Sequence, residues 1–109
     1  MAATREDFLR ELDQQRAQFR RTLEGKIAGM EVLWNAIGEE AAQAGGLERL
    51  ERNAHGLAGS GAMFGFEDLG AQARTLEGLV HSARAATPPI GEGDRRAMAS
   101  ALAALRRCL

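Results

Sequence analysis

The fold is decided between residues 47 and 83, where the chain reads LERLERNAHGLAGSGAMFGFEDLGAQARTLEGLVHSA. Small and apolar residues recur there every three or four positions, which is the period of one face of an α-helix. The pattern stops at Phe64-Gly65-Phe66 and then resumes. The stretch predicts two amphipathic helices joined by a tight connection. Their buried stripes are Leu47, Leu50, Ala54, Leu57 and Gly61, and then Leu69, Ala73, Leu76, Val80 and Ala83.

The region before residue 47 has the same helical period. Its apolar positions are Phe8, Leu12, Phe19, Leu23, Ile27, Met30, Trp34 and Ile37. Thr4 can cap the start, because its hydroxyl can accept a hydrogen bond from a free N–H of the first turn. Polar residues fill the gap from 12 to 19, so we predict a short helix over 4–18 and a longer one over 20–43. Gly45-Gly46 would close the longer helix. One bent helix is an equal alternative.

The C-terminal part begins with a loop and ends with a helix. Residues 87–94 read TPPIGEGD, and two prolines with two glycines cannot continue a helix. Asp94 is predicted to cap a last helix that buries Met98, Leu102 and Leu105 and ends at Arg106 and Arg107. The prediction is all-α: an antiparallel four-helix bundle with a short additional N-terminal helix, formed as a single domain over residues 1–109.

Composition excludes several function classes. The 14 basic and 15 acidic residues are spread along the chain and give a net charge of -1, which leaves no electrostatic footprint for nucleic acid or an anionic membrane. No apolar run is long enough to span a bilayer, and the N-terminus lacks the apolar segment of a secretory signal. Cys108 is the single cysteine, so no internal disulfide can form and a cytoplasmic protein is expected.

His55 is the candidate functional residue. It lies roughly 130° from the centre of its helix's buried stripe, so it is predicted to face solvent. The positions that follow it on its own face are Ala58, Gly59 and Ala62, and Gly56 is adjacent. A glycine inside a helix lowers stability by about 0.5–1 kcal/mol relative to alanine. The small residues either let another protein approach the imidazole or serve a tight helix crossing; Gly61, on the buried stripe, is assigned to packing.

The segment HGLAGSGAMFGFEDLGAQARTLE, residues 55–77, resembles the histidine-containing phosphotransfer (HPt) domain family. That family's motif is a histidine followed by x-L-K-G-S/A and a later glycine. The matching positions are His55, Leu57, Gly59, Ser60 and Gly65. The chain departs from the motif at Ala58, where the family often has a lysine that lies near the phosphoryl group.

The resemblance implies a phosphorelay intermediate rather than a kinase. His55 would accept a phosphoryl group from a receiver-domain aspartate and pass it to another, with response-regulator receiver domains and a hybrid histidine kinase as partners. The chain would need no cofactor or metal of its own, because the receiver supplies Mg²⁺, and it is expected to be a monomer. An exposed imidazole is largely neutral at cytoplasmic pH, which suits a nucleophile. The family normally uses Nε2, a choice that the residues themselves leave open.

Further roles follow from folding the hairpin about residues 64–65. Arg74 and Glu77 would then lie opposite His55, and Arg52 lies one turn before it on the same helix. Arg74 or Arg52 would compensate the phosphoryl charge, and Glu77 would bind the second ring nitrogen. The predicted phosphoryl and imidazole environment is Arg52, Ala58, Gly59, Arg74 and Glu77. The predicted docking surface is Glu51, Gly56 and Ala62.

Rival functions are weaker. GSGAMFG follows a helix rather than a strand, unlike a nucleotide-binding loop. Histidine-kinase dimerisation domains usually place an acidic residue after the histidine, where this chain has Gly56. His55, His81 and Cys108 lack the clustered spacing of a zinc site, and His81 is expected to be an exposed helix residue. The remaining alternative is a non-phosphorylated helical docking or adaptor module in two-component signalling, which Ala58 favours and the retained His55 opposes.

Overall fold

The computed structural model describes residues 4–37, 40–86 and 90–109, with the side chains of 40–44 excepted. This part of the chain contains helices and no strand, so the predicted all-α class is confirmed. The helices are α1 (Arg5–Ala36), α2 (Glu40–Met63), α3 (Glu67–Ala85) and α4 (Glu92–Arg107).

The four helices form an antiparallel bundle around one core. Each helix contacts its two neighbours, so that α1, α2, α3 and α4 enclose the core in chain order. The predicted stripes of α2, α3 and α4 are buried at every position, and α1 contributes Phe19, Leu23, Ile27 and Met30. Between α1 and α4, Arg106 donates hydrogen bonds to the carboxylates of Glu24 and Glu31 at 2.7–3.1 Å.

The prediction of a separate short N-terminal helix was wrong. α1 runs without a break for 32 residues, and Thr4 begins it with a capping box in which Thr4 and Asp7 exchange hydrogen bonds. Five of the six residues between 12 and 19, those from Gln14 to Gln18, are strong helix formers, so the stretch loses core contact without ending the helix. The first turns consequently lie outside the core, and Phe8 is 63% exposed.

The predicted boundary at Gly45-Gly46 was also wrong. α1 ends at Ala36 rather than at residue 43, and both glycines lie inside α2, which begins at Glu40. A Cβ at position 46 would lie 2.7 Å from Cγ1 of Ile37, a buried side chain. Gly46 therefore makes room for Ile37 between the two helices. A glycine costs a helix about 1 kcal/mol, which the packing around Ile37 offsets.

The start of the last helix differs by a few residues. Residues 87–89 of the predicted loop lie outside the described residues. Gly91 is the N-cap of α4, and Asp94 lies in the first turn rather than at the cap. There its negative charge interacts favourably with the positive N-terminal end of the helix dipole. Arg106 and Arg107 in the last turn interact favourably with the negative C-terminal end.

Candidate functional site

The α2–α3 hairpin positions the site. Phe64-Gly65-Phe66 joins the helices, and Gly65 has a φ of 80°, a left-handed conformation that glycine adopts without strain. Phe64 and Phe66 flank Phe19 of α1, with ring centroids 5.1 and 5.4 Å apart, so the turn is anchored to the bundle.

Close packing sets the register of the hairpin. A Cβ on Gly61 would lie 3.0 Å from the backbone nitrogen of Gly70, and one on Gly70 would lie 3.3 Å from the carbonyl oxygen of Ala58. Gly61 therefore has the packing role predicted for it. Gly70 was missed, although its place beside Leu69 in the buried stripe is a signal that could have found it. Together the two glycines let the helix backbones approach closely.

His55 lies on the outer face of this hairpin. Its side chain is 76% exposed, which agrees with the outward orientation expected from the helical wheel. Its Nδ1 lies 2.5 Å from Oε2 of Glu77 on α3. An ionised carboxylate can only accept, so Nδ1 carries the hydrogen and donates it. In the neutral ring, the lone pair is then on Nε2, and no described residue bonds that atom.

The two predicted cations, Arg52 and Arg74, differ in whether they already form an ion pair. Arg52, exposed on α2, pairs with Glu48 at 3.8 Å. Arg74 is exposed on α3 one turn before Glu77, and no described residue forms an ion pair with it. Arg74 is therefore the freer of the two cations to meet a new anion.

Ala58 is not part of an open surface. It is buried, with 4% of its area exposed, because α3 crosses over it at Gly70. Of the two roles that the sequence leaves open for the small residues, Ala58 therefore has the one at a tight helix crossing.

The other small residues of the face are accessible. Gly56, Gly59 and Ala62 are exposed, and a Cβ on either glycine would meet no atom within 4 Å. Gly56 also lines a groove of about 390 Å³ between α1 and α2, together with Gly25 and Gly29. The surface beside His55 is thus low and open on this side.

Glu51 is turned toward α3 rather than outward. Its carboxylate accepts from Nδ1 of His81 at 3.0 Å and from Arg84 at 2.7 Å, and only 20% of the side chain is exposed. The sequence reasoning missed this cluster. The signal in the sequence is a repeated spacing: Glu51 precedes His55 by four residues on α2, and Glu77 precedes His81 by four on α3. Antiparallel helices then place each glutamate opposite the histidine of the other helix.

Within the described residues, no group of three histidine, cysteine or acidic side chains is placed to hold a metal ion. In the same part of the chain, no helix is long and apolar enough to cross a membrane. At the site itself, Nδ1 of the exposed His55 imidazole is bound to the carboxylate of Glu77.

In a comparison with known families, the family model described as Hpt domain matches residues 3–108 of the chain. The chain belongs to the Hpt domain family. Neither the curated proteins nor the solved structures contain a significant match to it. Hpt domains are helical phosphotransfer modules, not kinases, that interact with receiver domains and histidine kinases. This Hpt domain therefore takes part in a two-component phosphorelay.

Proposed function

We propose that this Hpt domain accepts a phosphoryl group from the aspartate of one receiver domain on Nε2 of His55 and passes it to the aspartate of another. The Nε2 lone pair attacks phosphorus, the N–P bond forms, and the P–O bond to aspartate breaks with its electron pair on the carboxylate. The Nδ1 proton stays against Glu77. Transfer onward reverses these steps, so the chain needs no bound nucleotide.

The contact between His55 and Glu77 carries this proposal. The carboxylate holds the proton on Nδ1, which leaves Nε2 as the nucleophilic atom, and it restricts rotation of a ring that is otherwise 76% exposed. It also stabilises the positive charge that the ring acquires when Nε2 is phosphorylated. Glu77 is thus a positioning residue for the acceptor.

Charge compensation is assigned to Arg74. A phosphoryl group adds about -1.5 to -2 charge at neutral pH. Because residue 58 is alanine, the position where the family often has lysine supplies no cation. Arg74 is exposed near Glu77 and has no ion-pair partner among the described residues, whereas Arg52 already pairs with Glu48. The receiver's own cations would supply the rest.

The receiver is proposed to dock over Gly56, Gly59 and Ala62, which leave space for its backbone near His55. It would bring Mg²⁺ in its own acidic pocket, so the Hpt chain would bind no cofactor or metal. We further propose that residues 1–109 act as one domain, as a cytoplasmic monomer without an ATP site, between a hybrid histidine kinase and a response regulator.

The test is transfer from receiver domains that have been charged with acetyl phosphate and Mg²⁺. Label is located by mass spectrometry of peptides kept at neutral pH, because phosphohistidine is acid-labile. We expect label on His55 of the wild-type chain and none at that position in His55→Gln. Glu77→Ala is expected to lower the transfer rate more than the receiver affinity, since it disturbs the ring rather than the docking surface.

The same experiment separates transfer from the adaptor alternative. An adaptor would bind a receiver, measured by calorimetry, while His55 stays unlabelled. A wild-type chain that takes no label on His55 from any charged receiver it binds would refute the proposed function.

A further inference from the structure

Two histidine–glutamate pairs join α2 and α3, and the proposed function uses one of them. In that pair, His55 of α2 contacts Glu77 of α3. In the other, the order is reversed: Glu51 of α2 contacts His81 of α3, with 3.0 Å between Oε1 and Nδ1. Because the helices are antiparallel and the spacing is four residues on each, exchanging the helices maps one pair onto the other.

The chemical state of His81 matches that of His55. Its side chain is also 76% exposed, and its Nδ1 must carry a hydrogen because Glu51 can only accept. The lone pair of the neutral ring is then on Nε2, to which no described residue bonds. We infer that His81 is a second phosphoryl acceptor of this domain.

The two imidazoles lie on one face of the hairpin. His55 is level with Glu77, and His81 lies four residues further along α3, so the two sites are about 6 Å apart along the helix axes. Gly78, one turn before His81, is exposed, and a Cβ there would meet no atom within 4 Å. A protein that approaches the outer face of the hairpin therefore meets no bulky side chain at Gly78.

A cation distinguishes the second site from the first. Arg84 lies one turn after His81 and donates to Glu51 at 2.7 Å. His81 is near the C-terminal end of α3, where the helix dipole disfavours an anion. The Arg84 guanidinium places a positive charge one turn from His81 and opposes that effect. Because Arg84 is bound to Glu51, it can contact a phosphoryl group only with its remaining N–H donors.

The transfer step at His81 has the balance described for His55. Nε2 forms a bond to phosphorus, the P–O bond to the donor aspartate breaks, the electron pair leaves on the aspartate carboxylate, and the Nδ1 proton stays against Glu51. The donor class is an aspartyl phosphate, so the inference rests on the proposed function for its donor.

The reactivity of the His81 imidazole is tested with phosphoramidate, a small phosphoryl donor that needs no docking surface. Labelling of His55→Gln, His81→Gln and the double variant is followed by ³¹P NMR and intact mass at neutral pH. We expect one label on each single variant and none on the double variant. In the His55→Gln background, Glu51→Ala should slow labelling by about two- to tenfold, the range that one hydrogen bond contributes. Glu48→Ala, which removes the same charge from α2 away from His81, should not.

The decisive arm uses receiver domains charged with acetyl phosphate. Transfer to His55→Gln that disappears in the double variant supports His81 as an acceptor. A His55→Gln variant that takes no more label than the double variant, while His81→Gln is labelled, overturns the inference and leaves the proposed function standing. The converse result overturns the proposed function alone. Label on neither single variant overturns both the inference and the proposed function. In the phosphoramidate assay, equal effects of Glu51→Ala and Glu48→Ala overturn the role of Glu51 at His81.

Discussion

Gly59 offers a substitution that should raise stability and lower function at once. It lies inside α2, one turn after His55, and a side chain there meets no atom within 4 Å. Gly59→Gln therefore gains helix propensity without a clash, which is worth about 0.5–1 kcal/mol. For a domain of this size, that gain corresponds to a rise in Tm of about 2–8 °C.

The same side chain should obstruct the receiver. Phosphoryl transfer requires the receiver's aspartate to come within bonding distance of Nε2 of His55, and the docking surface beside it is low only because Gly56 and Gly59 lack side chains. Forcing extra atoms into a close contact costs about 1–3 kcal/mol. The expected loss is therefore about fivefold to a hundredfold in transfer rate.

Gly45→Gln is the matched control. Gly45 is also exposed inside α2 with open space around it, but it lies ten residues before His55. It should raise Tm similarly and leave transfer unchanged. Thermal unfolding gives the stability change, and rapid mixing with a charged receiver gives the transfer rate. Phosphoramidate is the second control, because so small a donor should label His55 of Gly59→Gln at the wild-type rate.

One result would refute the proposed approach of the receiver over Gly59. If Gly59→Gln accepts phosphoryl from the receiver as fast as Gly45→Gln, the receiver does not approach over Gly59. Gly56 and Gly59 would then have no docking role, and helix packing would not explain them either, because a Cβ on either glycine meets no atom within 4 Å.

Three further predictions concern packing and charge. Gly61→Ala should lower the free energy of unfolding, measured in urea, by about 1–3 kcal/mol, because the added Cβ lies 3.0 Å from the backbone of Gly70. This loss should exceed the gain in helix propensity. An unchanged or higher stability would contradict the close packing of α2 against α3. Arg74→Ala should shift the phosphoryl equilibrium toward the receiver by no more than about fivefold, the limit for an exposed ion pair. An unchanged equilibrium would exclude Arg74 as the residue that compensates the phosphoryl charge. The Arg106 hydrogen bond holds the pKa of Glu31 below its ordinary 4.5, so that stabilisation is present above pH 4.5 and lost as the pH falls through the lowered pKa. In Arg106→Gln, the free energy of unfolding should therefore fall less steeply than in the wild type as the pH is lowered. Equal slopes for the two proteins would refute the pairing of Arg106 with Glu31.

The limits of the sequence show first at the helix boundaries. Gly45-Gly46 predicts a helix end because glycine is common there, yet in the structure Gly46 leaves space for the side chain of Ile37. Whether a glycine ends a helix or receives a neighbour depends on a side chain in another helix. No local pattern in the sequence contains that information.

The features that the amino-acid sequence predicts correctly are properties of single helices. The stripes from Leu47 to Gly61 and from Leu69 to Ala83 are buried, and His55 faces outward, because a rotation of 100° per residue relates every position on a helix to every other. The Phe64–Phe66 turn is equally local, since it needs only a glycine with positive φ. These features require no knowledge of a neighbour.

Tertiary packing sets which residues beside the buried stripes are covered by the neighbouring helix and which side chains of the two helices pair. α3 covers Ala58 because Gly61 and Gly70 allow the backbones to approach, and the same register places Glu51 against His81. A helical wheel gives the angle of a side chain but not the height at which the neighbouring helix crosses it. That height is set by the closest packing of two backbones, and it exists only once both helices are in place.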